Sequence, residues 1–95
     1  MKKPKKIIIL GKTYKIKYLK KLSKKGEVGH ISTLKRIIEI KKCDKEIMES
    51  ALFHEVIHGI LMELGFGDEI NNEHLVCSLE TGLYQVLKEN SIFSF

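Results

Sequence analysis

Residues 51–64 read ALFHEVIHGILMEL. Leu52, Val56, Ile60 and Leu64 recur every four residues, with Phe53, Ile57 and Leu61 beside them. That spacing predicts a helix, and the apolar stripe is too wide for a helix lying on a surface, so most of it should be buried. The preceding KKCDKE (41–46) marks its start, with Asp44 as N-cap and Glu46 and Glu49 near the positive end of the helix dipole. GFGDE (65–69) ends it, Gly65 being a good first residue beyond the helix. His54, Glu55 and His58 stand inside this apolar run, where polar groups are costly unless something partners them.

His54 and His58 are four residues apart, so they share one helix face and both imidazoles reach a single metal ion. Glu55 is the next residue around, beside the ion rather than on it. This is the H-E-x-x-H pattern, in which two neutral imidazoles bind Zn²⁺ and a carboxylate moves protons for water at the metal. Five-residue motifs also arise by chance, and two histidines can serve as hydrogen-bonded core residues. The apolar flanks and the helical context favour the metal reading.

A catalytic zinc site needs a third protein ligand. The longer pattern H-E-x-x-H-x-x-G-x-x-H is excluded, because its Gly and its last His fall on Leu61 and Leu64. The third ligand is then expected on a second helix, from about residue 69 to 88, with Leu75, Leu79, Leu83 and Val86 or Leu87 as its apolar face. The short connection folds that helix back on the first. Glu73, His74 and Glu80 are the candidates, with Glu73 preferred; Glu73, Cys77, Glu80 and Tyr84 share one face.

Working towards the N-terminus, KKIIIL (5–10) and TYKIKYLKK (13–21) read as strands, joined by a tight turn at Gly11-Lys12. VGHIS (28–32) and KRIIEI (35–40) are two more, with a turn at residues 33–35. The expected fold class is α+β: a small antiparallel sheet of three or four strands, then the two helices. Ninety-five residues suit one domain, and a bound metal or self-association would add stability to so small a core.

Residues 1–26 hold eleven Lys and no acid, and the remainder holds six Lys plus Arg against twelve Asp plus Glu, so +11 and −6 give the net +5. A basic arm can attract nucleic acid. Here the lysines alternate with apolar residues and no aromatic cluster joins them, so a solvated strand face is preferred. Cys43 and Cys77 form no C-x-x-C pair and are read as reduced thiols. The N-terminal run has four consecutive apolar residues, too few for a signal peptide, and no stretch is long enough for a membrane helix. A cytoplasmic location without a membrane segment is expected.

Taken together, ALFHEVIHGILMEL and NNEHLVCSLETGLYQVL (71–87) resemble the active-site helix and glutamate helix of gluzincin-type zinc metallopeptidases. In length the chain is most similar to the minigluzincins, and small SprT-like proteins of phages look similar too. The resemblance covers about residues 50–89. It implies zinc held by His54, His58 and Glu73, with Glu55 as general base and a peptide or protein as substrate. It also implies a latent enzyme in a homo-oligomer, its cleft blocked by a chain segment, for which SIFSF (91–95) is apolar enough. One departure stands out. The family often places Asp four residues after the glutamate ligand to orient a zinc-bound histidine; that position is Cys77, so the support must come from elsewhere.

On this reading Glu55 takes a proton from water attacking a peptide carbonyl and passes it to the leaving amine. Substrate would lie extended against an edge strand such as VGHIS. Tyr84 or His30 is a candidate to stabilise the oxyanion. Two other classes stay open: a non-catalytic zinc-stabilised binding module, and a nucleic-acid-associated protein using the Lys-rich arm.

Overall fold

Tyr14, Ile16 and Tyr18 alternate with Lys15 and Lys17, and the structure turns the first two of these aromatic and aliphatic side chains into the core. In the computed structural model, which describes residues 3–66 and 73–91, four strands precede two helices. Strands β1 (Lys6–Ile9) and β2 (Lys12–Leu19) form an antiparallel hairpin. Ile9 pairs with Lys12, so the turn residues are Leu10 and Gly11, one position earlier than expected. Their φ angles of 48° and 83° place both in the left-handed region, as a two-residue type I′ turn requires. β3 (Gly29–Ser32) and β4 (Ile37–Lys41) form a second antiparallel pair. Its turn spans residues 33–36; the Lys35 N–H donates to Ser32 Oγ at 3.2 Å and Arg36 has φ 55°.

The strand order is β1-β2-β4-β3, and β2 pairs with β4 in parallel. The sheet is therefore mixed, where an antiparallel one was expected, within the expected α+β class. The segment after β2 carries the chain to the far edge, where β3 forms. β4 then returns between β3 and β2, running the same way as β2. Backbone bonds fix the crossing: Lys15 N–H to Arg36 O at 3.0 Å, and Lys42 N–H to Leu19 O at 2.7 Å.

One face of the sheet holds the core: Ile9, Tyr14, Ile16, Ile38 and Ile40, closed by Met48 and Leu52. These last two come from α1 (Lys45–Glu63), which is buried nearly all round between Met48 and Gly59. Gly59 lets the helix come close, since a Cβ there would lie 2.9 Å from the Cδ1 atoms of both Ile9 and Ile31. Asp44 caps α1 through its carbonyl, which accepts from Met48 N–H at 2.9 Å, and not through its side chain. At the other end, Phe66 N–H bonds to Leu61 O and Gly65 N–H to Met62 O, with Gly65 at φ 87°. This pair of bonds is a Schellman motif, with Gly65 in the expected role.

α2 (Glu73–Glu89) packs on α1. Its expected start near residue 69 lies outside the described residues. Its expected apolar face is only partly buried, with Leu75 and Leu87 half-buried. Val76 is fully buried, while Leu79, Leu83 and Val86 are 37–46% exposed. The side of α2 facing α1 carries Glu73, Glu80 and Tyr84, so the polar face and not the leucine stripe turns inward. Among the described residues, no helix is long and apolar enough to cross a membrane.

Candidate metal centre

The middle of α1 supplies two imidazoles and the first turn of α2 supplies a carboxylate. His54 Nε2 and His58 Nε2 face each other at 3.2 Å. Glu73 meets both rings, its Oε1 at 2.7 Å from His58 Nε2 and its Oε2 at 3.4 Å from His54 Nε2. The three side chains present ligand atoms that all lie within 4.8 Å of one another. A tetrahedral ion bound through Zn–N distances of about 2.0–2.1 Å spaces two such nitrogens roughly 3.3 Å apart, so the pair fits that geometry. His74, the third candidate on α2, is exposed and belongs to no such group among the described residues.

Glu80 occupies the opposite side of the His54 ring. Its Oε1 lies 2.9 Å from His54 Nδ1, and its Oε2 accepts from Ser50 Oγ at 2.6 Å. A carboxylate accepting the Nδ1–H leaves the lone pair on Nε2, directed at His58 and Glu73. Glu80 thus meets His54 from one turn beyond Cys77 on α2. Ser50 is four before His54 and Glu80 is seven after Glu73, two turns along one face, so the spacing makes the contact possible without fixing it.

Glu55 is 8% exposed, and burial pushes its carboxyl up to about 7; the nearby His54 opposes the shift while Glu73, Glu27 and Glu80 add to it. Gly29 of β3 makes the space it occupies, for a Cβ there would lie 3.0 Å from Glu55 Oε2 and 3.1 Å from its Cγ. Burial also holds His58 below the ordinary histidine range, with Glu73 opposing. That shift favours the neutral ring, the form that ligates metals.

These groups open on a cleft of about 910 Å³. One wall is β3, an edge strand bonded to β4 on its other side; the opposite wall is α1 with Glu73, Glu80 and Tyr84 of α2. Of the two oxyanion candidates, His30 is exposed with Nδ1 at 3.9 Å from Glu27, and Tyr84 donates its hydroxyl to Glu49 Oε1 at 2.7 Å. Glu49 is 2% exposed and also meets Lys88 Nζ at 2.8 Å. The sequence reading treats Glu49 as an acid at the helix start. Its four-residue step to Phe53 and Ile57 puts it on the buried stripe instead.

No family model matches the chain, and neither a curated protein nor a solved structure matches it.

Proposed function

We propose that this chain is a zinc-dependent metallopeptidase. The observation that carries the reading is the convergence of His54 Nε2, His58 Nε2 and the Glu73 carboxylate at the floor of a cleft, with buried Glu55 beside them. Those three residues would hold the ion. A zinc ion there supplies Lewis acidity towards a carbonyl and makes water more acidic.

The remaining chemistry belongs to the chain itself. Glu80 accepts a hydrogen bond from His54 Nδ1–H, which keeps the Nε2 lone pair free as a ligand. Glu55, with its carboxyl pushed up to about 7, takes a proton from the attacking water and delivers it to the leaving amine. The outer edge of β3 accepts an extended peptide as an added strand, which places a backbone carbonyl along the cleft. Latency through the C-terminal segment belongs to the same reading; residues 92–95 lie outside the described residues.

Glu55→Gln tests the assignment. It should keep the bound metal and lose peptidase activity by about 10²–10⁴-fold. Full activity in that variant would remove Glu55 as the base.

A second reading rests on the thin apolar contact of α2, which buries only Val76 among its described residues. A metal bridging Glu73 to α1 would then serve folding, giving a zinc-stabilised binding module. A wild-type protein that unfolds on metal removal and hydrolyses no peptide would select it.

A further inference from the structure

His54 belongs to two groups of metal-binding side chains. Beyond His58 and Glu73, the residues His54, Cys77 and Glu80 also present ligand atoms that all lie within 4.8 Å of one another. Cys77 and Glu80 are three apart on α2, so they project from one face a turn apart. Glu80 already contacts His54 at Nδ1, the nitrogen turned away from Glu73. Cys77 is a free, exposed thiol, open to ions from solvent.

We propose that Cys77, Glu80 and His54 Nδ1 form a second cation site, selective for a thiophilic divalent ion, whose occupation excludes an ion from the His54–His58–Glu73 site. The ligand types set the selectivity. A thiolate with an imidazole and one carboxylate suits zinc or cadmium, and calcium or magnesium would need more oxygens than this set provides. The exclusion follows from the imidazole. A neutral ring has one lone pair and one N–H. With the proton on Nδ1 shared with Glu80, the lone pair on Nε2 serves the first site. An ion at Nδ1 needs that lone pair moved, which puts the proton on Nε2 and removes His54 from the first site. Cys77 loses its thiol proton to solvent as it binds. Excess thiophilic ion therefore switches the centre off by taking a ligand from it, without touching His58, Glu73 or Glu55.

The site is read directly with cadmium, because thiolate-to-cadmium charge transfer absorbs in the ultraviolet. The chain has two cysteines, so Cys43→Ser leaves Cys77 as the sole thiol. Cadmium added to Cys43→Ser protein should produce this absorption. It should vanish when Cys77→Ser is added and fall sharply with Glu80→Gln. It should survive in Cys43→Ser/His58→Ala, which separates this site from the first. No absorption in Cys43→Ser protein, or absorption unaffected by Glu80→Gln, would overturn the site. The exclusion is read on zinc-loaded Cys43→Ser protein, where zinc should be released as the absorption grows. Zinc retained throughout would overturn the exclusion. The exclusion rests on the proposed zinc site; if His58 and Glu73 bind no zinc, that reading fails while the cadmium absorption still decides this one.

Discussion

Gly29 sets how closely the sheet approaches Glu55. A methyl group there would sit 3.0 Å from the carboxylate oxygen and 3.1 Å from Cγ, so the side chain must give way by a few tenths of an ångström. Gly29→Ala is therefore expected to move Glu55, lowering peptidase activity by up to about 10²-fold while metal binding persists. Steady-state kinetics beside metal content would check it, and unchanged kcat would refute the contact's importance. At this scale much was legible. The i, i+4 spacing of His54 and His58 put the two rings side by side, and the shared face of α2 brought Glu73 against them. The position of Glu80 on the other side of the His54 ring was not legible, because it depends on where α2 lies across α1. Nor was the burial of Glu49, since an acid early in a helix reads equally well as a partner of the dipole.

Among the elements, the β1–β2 turn holds a residue ill-suited to it. Leu10 is 56% exposed and has φ 48°, a region that costs a β-carbon-bearing residue about 1–2 kcal/mol unless its side chain is Asn or Asp. Leu10→Asn would give the Asn-Gly pair that type I′ turns prefer. It should stabilise the protein by about 1 kcal/mol and raise Tm by roughly 4–8 °C. A melting temperature unchanged or lowered would contradict the turn assignment. The strands themselves were legible from the alternation of Tyr14, Ile16 and Tyr18, and of Ile38 and Ile40. Their order was not, because alternation looks the same in parallel and antiparallel pairs and the β2–β4 pairing joins residues over twenty positions apart. The burial of the leucine stripe of α2 was overstated for a related reason. Leu75, Leu79 and Leu83 form the better apolar stripe, yet the partners for Glu73, Glu80 and Tyr84 are on α1.

In the whole molecule, all three tyrosines tie separate parts of the chain together through donated hydroxyls. Tyr14 reaches Glu63 at 2.6 Å, Tyr18 reaches Pro4 O at 2.7 Å and Tyr84 reaches Glu49 at 2.7 Å. Burial, first of all, pushes each phenol up to about 12 from its ordinary value near 10, and the facing carboxylates add to this for Tyr14 and Tyr84. A raised folded value means the protonated form favours the fold. Their contribution is complete below pH 10 and disappears as pH rises towards 12. Tyrosinate absorption should thus appear near pH 12 in the folded protein, or together with unfolding, and near pH 10 in denaturant. Titration of all three near 10 in folded protein would contradict these contacts. The largest claim also spans the molecule, since the proposed site joins α1 to α2. Its most direct test is the zinc content of protein purified without added metal, measured beside Glu73→Ala. The account expects about one zinc per wild-type chain and its loss in the variant. No zinc in the wild type, even after zinc is supplied, would contradict it, leaving His54 and His58 as hydrogen-bonded core residues and the cleft without its chemistry.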